Sequence, residues 1–284
     1  MSRLRFYLEL CGRGLWGWQR QSDSQEGPEG RTAQFHLERA LATVSQWPSR
    51  IPVQGSGRLD AGVHAEVYAV HADVSAAWLE RWGDGQKLEK LRHGINGVLP
   101  EQMAVWNLAV DPHFHALDSL VSKTYRYEIL LRRTKAVLDL DHAYWVPMDP
   151  QDWKRDQAQE AMSHFVGLHD FKAFCAASSS ARSTQREVLE STMRIQDLGR
   201  GLGHKVDLFF KGRGFLKQMV RNMAGLIFEI GSGLKSPNEV KRLLSNPHLT
   251  RQDAGVCLPA HGLTLVELEY LEPWGILRRG DKLF

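Results

Sequence analysis

Gly55-Ser56-Gly57-Arg58-Leu59-Asp60-Ala61-Gly62-Val63-His64-Ala65 is the stretch on which the reading of this chain turns. Glycines on both sides of an Arg-x-Asp imply a tight turn. Such a turn lets a substrate backbone come close while it holds a carboxylate and a guanidinium in fixed geometry. On local grounds alone the same residues also read as an aspartate in a glycine-rich turn bonding its own backbone. Residues Val63 to Val74 then alternate as a half-buried strand should, so the Arg-x-Asp stands at a strand entrance.

Outward from this turn the chain is strand-rich. Arg3 to Leu10 alternates, with Phe6, Leu8 and Leu10 on one face and Arg5, Tyr7 and Glu9 on the other, and a Gly12/Gly14 turn follows. Phe35, Leu37, Ala40, Leu41 and Val44 recur at helical spacing, as do Leu88, Leu91, Ile95 and Val98, and residues 104–110 read as a strand. The first half therefore runs strand, helix, strand, helix, strand. A similar pattern restarts with Thr124 to Leu131, and the boundary is expected near Asp111-Pro112, giving halves 1–110 and 111–284.

In the second half Ala158, Ala161, Met162 and Phe165 form a helical stripe with Gly167 as its C-terminal cap, and strands are expected around 187–196 and 205–211. Phe215 to Ile230 reads as one buried helix carrying a polar patch of Lys217, Gln218, Arg221 and Asn222. Ser236-Pro237-Asn238-Glu239 has the form of an N-cap, a first-turn proline and a capping-box glutamate. Loops are expected at 22–31, 82–87, 132–137 and 175–183.

Composition bounds the class. The 284 residues are 43% hydrophobic and 24% charged, enough for one large or two ordinary domains with real cores. No apolar run approaches a membrane span and the N-terminus lacks a signal-peptide core, so a soluble, cytoplasmic protein is expected. Cys11, Cys175 and Cys257 lie far apart with no Cys-x-x-Cys, which argues against a zinc ribbon or a disulfide framework. Net charge is only +3, but it is unevenly spread. Arg200, Lys205, Lys211, Arg213, Lys217 and Arg221 face a single acid, Asp207, over 200–221, and Lys123, Arg126, Arg132, Arg133 and Lys135 face Glu128 over 123–135. Each cluster reads equally as a strip that tracks phosphates and as a solvated face.

With its neighbours, the opening stretch resembles the Gly-Arg-Thr-Asp-Ala-Gly-Val-His signature of the bacterial tRNA pseudouridine synthase A family (TruA). Other blocks similar to that family follow in order: Gly17-Trp18-Gln19-Arg20-Gln21, Asn96 with Leu99-Pro100, Phe114-His115-Ala116, Lys123-Thr124-Tyr125-Arg126-Tyr127, Leu168-His169-Asp170-Phe171, Phe215 to Asn222, and Ala260-His261-Gly262-Leu263. The likeness covers essentially the whole chain. It implies an α+β fold of two ferredoxin-like (RRM-like) halves, with joined antiparallel sheets flanked by helices and an RNA cleft between them. It also implies a homodimer that modifies the anticodon arm of tRNA, with no cofactor, no metal and no membrane.

The reaction breaks the N1–C1′ bond of uridine, turns the uracil and makes a C5–C1′ bond, which requires neither redox chemistry nor a metal. One positioned carboxylate near C1′ suffices, as a nucleophile or as support for a glycal-like path. Carried over from the resemblance, Asp60 is that carboxylate and Arg221 the arginine that pairs with it and keeps it ionised. Lys217, one turn earlier on the same helix face, is expected to clamp a phosphate. Tyr125 is a core aromatic by periodicity and the residue that stacks on the target base by resemblance. Arg58 resembles the arginine that displaces the flipped base, Leu263 would wall the pocket, and His64 is either an RNA contact or a structural histidine.

The chain departs from the family at Leu59, where Thr is usual, at Cys11, where an Asp precedes Gly12, and at Leu117, where an Arg follows Phe-His-Ala. These changes bear on RNA positioning and target choice. The rival reading is a non-catalytic tRNA-binding or chaperone module on the same fold. A hydrolase built on His113-x-His115 or His169-Asp170 lacks a neighbouring nucleophile motif.

Overall fold

The computed structural model describes residues 2–20 and 32–280. The expected loop 22–31 and Gln21 of the N-terminal block lie outside the described residues. The chain packs as two compact units, one drawn from residues up to Val121 and from Leu265 onward, the other from Ser122–Thr264.

The first unit opens with β1 (Ser2–Leu10), α1 (Ala33–Ser45), β2 (Val53–Gly55), β3 (His64–Val74), α2 (Ala76–Trp82), α3 (Gly85–Val98) and β4 (Met103–Val110). β1 is central, antiparallel to β3 with Phe6 opposite Val70 and to β4 with Phe6 opposite Leu108, and β2 pairs antiparallel with β3. Thr32 caps α1, its hydroxyl accepting from the Phe35 amide at 3.4 Å, and Leu37, Ala40 and Leu41 face inward. Asp84 caps α3, which buries Leu88, Leu91 and Ile95. Asn96 locks α3 to β4 by donating to the Val105 carbonyl at 2.8 Å and accepting from the Val105 amide at 2.7 Å. That pair of hydrogen bonds gives the asparagine its place in the last turn of α3, ahead of Leu99-Pro100. The expected loop 82–87 is shorter, because α2 reaches Trp82 and α3 starts at Gly85.

β1 is covered on both faces, not one. Tyr7 is fully buried, its ring 5.4 Å from Trp106 and 6.1 Å from Phe114, and Arg5 pairs with Asp111 at 3.1 Å. The residues after Asp111 therefore pack on the N-terminal unit, whose limit falls at Val121 and not at Asp111-Pro112.

The second unit contains β5 (Leu120–Leu131), β6 (Tyr144–Val146), α4 (Arg155–Ser163), β7 (Gly167–Asp170), β8 (Gln185–Asp197), β9 (His204–Gly212), α5 (Met219–Gly231) and α6 (Asn238–Ser245). Its strands run β5-β9-β8-β7, antiparallel throughout, with β6 added parallel to β5. Ala158, Ala161 and Met162 of α4 are buried as their spacing predicts.

Three local expectations are corrected. Gly167 does not cap α4, which ends at Ser163; with φ +117° it opens β7. The apolar run from Phe215 is not one helix: Gln218 is left-handed (φ 61°, ψ 5°), so α5 starts at Met219 and Phe215 to Lys217 precede it. At α6 the capping box does not form, because the Glu239 carboxylate is engaged by Arg242 at 2.6 Å instead of reaching back.

The chain then returns to the first unit as β10 (Leu263–Tyr270), beside β3, and β11 (Ile276–Arg278), antiparallel to β10. The Tyr270 hydroxyl donates to the Ala116 carbonyl at 2.8 Å and Trp274 Nε1 donates to Asp111 at 2.7 Å, fastening this return to the segment after β4. The fold is α+β, with helices on strand-paired sheets in both units. No helix among the described residues is long and apolar enough to cross a membrane.

Candidate active site

Residues 56–63 connect β2 to β3 and carry the Arg-x-Asp. Gly57 (φ +143°) and Gly62 (φ +83°) hold backbone conformations that favour glycine, which is why glycines flank the motif. Between them Leu59 is 7% exposed, Arg58 is exposed and Asp60 is half-buried. The buried leucine anchors the turn while its two charged neighbours turn away from the core. The departure at Leu59 is thus a packing change beneath the turn.

The turn is built onto the N-terminal block. The Trp18 amide donates to the Leu59 carbonyl at 3.1 Å, and the Tyr68 hydroxyl donates to the Gly57 carbonyl. The Trp18 and Tyr68 rings lie 4.5 Å apart. Gly17 and Trp18 are themselves held by the first turn of α1, whose Ala33 and Gln34 amides donate to their carbonyls at 3.0 Å each. Gln34 also reaches the Val53 carbonyl at 2.9 Å, and the buried Glu38 accepts from the Val53 amide at 3.1 Å, flanked by Arg20 at 3.6 Å and Arg50 at 3.7 Å. The Gly-Trp-Gln block is therefore a scaffold for the Asp60 turn.

His64 is 3% exposed and its Nδ1 accepts from the Gly12 amide at 3.1 Å. That bond clasps the backbone after β1 to the start of β3.

In the second unit Tyr125 lies on β5 opposite Phe210, 7% exposed, with its ring edge-on to Phe215 at 5.4 Å. Two residues on, Tyr127 is fully buried and donates to the Pro259 carbonyl at 2.8 Å; burial holds its hydroxyl far above the usual phenol range, so it is a permanent donor. Gly262 closes on the Tyr127 ring, and the next residue, Leu263, is 6% exposed at the start of β10. Arg221 stands in the first turn of α5, half-buried, and its Nε donates to the Leu258 carbonyl at 2.8 Å. Asn222, fully buried, donates to the Phe174 carbonyl at 2.7 Å and ties α5 to the 171–174 turn.

Lys217 does not share a helix face with Arg221. It is exposed in the turn before α5, its ammonium 3.1 Å from Ser178 Oγ and its carbonyl accepting from the Ala176 amide at 3.0 Å. It therefore belongs with loop 175–183.

The two basic clusters are partly drawn into ion pairs. β5 and β9 set Glu128 opposite Asp207, so Arg126 (2.7 Å) and Lys205 (3.2 Å) bond Glu128. Arg213 pairs with Glu187 at 2.7 Å and Arg133 with Asp149 at 2.9 Å. Burial pulls the Lys123 ammonium down to about 8.

Sequence reasoning gave no role to Tyr68, Glu38 or Leu258. Tyr68 is legible afterwards as the large residue facing the small Gly55, because a Cβ built on Gly55 meets Tyr68 Cε1 at 2.7 Å and Trp18 Cε2 at 2.8 Å.

Residues 161–271 match a family model described as tRNA pseudouridine synthase. Over 275 residues, 96% of this chain and 98% of the relative, the sequence is 36% identical to a tRNA pseudouridine synthase A of Thermus thermophilus. Relatives of the same description from Bacillus subtilis (34% over 272 residues, 94% of this chain, 99% of the relative) and a Geobacter species (35% over 273 residues, 96% and 100%) are similar along the same length.

Proposed function

Because the chain belongs to the tRNA pseudouridine synthase A family and isomerises uridine to pseudouridine in tRNA, we propose that Asp60 is the nucleophilic carboxylate of that reaction. The anticodon stem-loop is the proposed target. The Asp60 carboxylate bonds C1′ as the N1–C1′ bond opens with its electron pair going to uracil; C5 of the turned uracil then bonds C1′ as the carboxylate leaves, and the C5 proton is lost as N1 gains one. The step is an isomerisation without net redox change.

What carries the reading is the turn itself: the Leu59–Asp60 peptide is bonded to the Trp18 backbone between left-handed glycines, which leaves a half-buried carboxylate on a preorganised backbone. In this proposal Arg221 supplies the counter-charge that keeps the carboxylate ionised, Tyr125 stacks on the extruded base, and Arg58 replaces that base in the RNA. Lys217 clamps a phosphate from its loop and Leu263 walls the base. His64 supports the turn from beneath. Two ferredoxin-like halves, a homodimer that presents tRNA to both chains, and a cytoplasmic site complete the reading. The β-α-β-β-α-α-β order with which the first unit opens, with β4-β1-β3 adjacent, supports the first of these.

Tritium release from C5-labelled uridine in unmodified tRNA tests the assignment. Wild type should release label without added metal or nucleotide, and Asp60→Asn should release none while retaining most tRNA affinity, since dispersed phosphate contacts dominate binding. Substantial turnover in Asp60→Asn would remove Asp60 as nucleophile. A wild type inert on every tRNA, with both proteins binding equally, would favour the binding-module reading.

A further inference from the structure

The two carbonyls that bracket Arg58 in the chain are both held, and by neighbouring residues. The Leu59 carbonyl accepts from the Trp18 backbone amide at 3.1 Å, and the Gly57 carbonyl accepts from the Tyr68 side chain. Tyr68 is 1% exposed on β3, and its ring leans on Trp18 with centroids 4.5 Å apart and planes at 45°. Gly55 makes the room: a Cβ there would collide with the Tyr68 hydroxyl. The first of these bonds is main chain to main chain and does not depend on the Trp18 side chain. The second hangs on one phenol. Gly57 needs that restraint, since with φ +143° it sits in a region where glycine alone moves freely.

We propose that Tyr68 is a positioning residue for pseudouridine formation: its hydroxyl fixes the Gly57 peptide and, through it, the aim of Arg58 and Asp60. This rests on the assignment of Asp60 above. The group is not required to touch RNA, and at 1% exposure it is enclosed. Its effect belongs in the chemical step, because a turn that wanders by an ångström loses near-attack geometry while the dispersed phosphate contacts that set tRNA affinity stay in place.

Tyr68→Phe keeps the ring and its packing on Trp18 and removes only the donor. It should lower kcat for tritium release roughly tenfold or more, leave the KM for tRNA within about twofold, and leave the melting temperature within a few degrees of wild type. Hydrogen exchange at the Val63 amide, which bonds the Asp60 carbonyl at 3.2 Å and closes the turn, should accelerate in Tyr68→Phe whether or not the protein is active. An unchanged kcat with unchanged exchange overturns the proposal. A fall in melting temperature with kcat preserved at saturating tRNA also overturns it, reducing Tyr68 to packing. Should Asp60→Asn remain active while Tyr68→Phe still loosens Val63, the nucleophile assignment fails and the restraint on the turn stands. Should Asp60→Asn be dead and Tyr68→Phe behave as wild type, only the positioning role fails.

Discussion

Gly17 packs so closely under Leu59 that a Cβ placed on it would run into the Leu59 carbonyl oxygen. Its φ of +84° is a second reason for glycine there. The residue that follows, Trp18, donates its amide to that same carbonyl.

Gly17→Ala should therefore strike the Asp60 turn from behind. The backbone conformation alone costs about 1–2 kcal/mol for an L side chain, and the collision must be relieved by moving Leu59. Thermal melting should show a drop of several degrees, and tritium release a larger proportional loss than the fraction unfolded explains. A variant equal to wild type in turnover would show that the turn tolerates displacement.

Arg221 holds the Leu258 carbonyl through Nε at 2.8 Å, one of the several donors its planar guanidinium carries. Arg221→Ala should lower kcat by roughly two orders of magnitude. Arg221→Lys should rescue little, because a single ammonium cannot keep the Leu258 bond and present a fork as well. Near-normal turnover in Arg221→Ala would make this arginine an RNA contact only.

Tyr125 offers a comparison between stacking and packing. Tyr125→Phe keeps the edge-on contact with Phe215 and should melt as wild type, yet turn over more slowly for want of the hydroxyl, whereas Tyr125→Leu should lose activity and productive RNA engagement. If both variants instead lose melting temperature in proportion to lost packing, and Phe is harmless to catalysis, Tyr125 is core.

Acid should weaken the first unit through His71. This side chain is 4% exposed, its Nδ1 accepts from the Ala116 amide at 3.1 Å, and its ring lies 4.3 Å from His115. Burial first, then the charges of Arg3 and His115, lower its pKa to about 4, against the smaller pull of Asp73 and Asp118. The folded state thus refuses a proton that the unfolded chain accepts below about 6.5, so this contribution is complete above that pH and is lost as pH falls toward 4. The shift corresponds to roughly 3 kcal/mol across that window. Urea midpoints at pH 7.5 and 5 should differ accordingly, and His71→Asn, which keeps an acceptor for Ala116, should flatten the dependence. An equal slope in wild type and His71→Asn would shift the effect to other groups, His36 and His261 among them, whose pKa values burial also lowers.

Elements whose side chains repeat with a clear period were readable from the sequence, and β1, α1, β3, α3, α4, β8 and β9 lie where alternation or helical spacing puts them. Single backbone events were not. Nothing in the apolar run from Phe215 announces that Gln218 turns left-handed, and that one residue moves Lys217 from the helix to a loop. The short strands β2, β6 and β11 were missed because three residues carry no period. The Asp60 turn was conspicuous through its glycines, but its restraints were not, since Trp18, Gln34 and Tyr68 meet it from distant parts of the chain. The second covering of β1 was hidden for the same reason: it is supplied by Phe114, Tyr270 and Trp274.

The return of the chain into its first unit sets an order on synthesis. Residues 122–264 are contiguous and can close as soon as they emerge from the ribosome. The first unit cannot: β3, the strand that leads out of the Asp60 turn, lacks its neighbour β10 until translation has passed Tyr270. The half that is made first is completed last, and until β10 emerges that edge of β3 is covered only where β2 pairs with it, at Val70–Ala72.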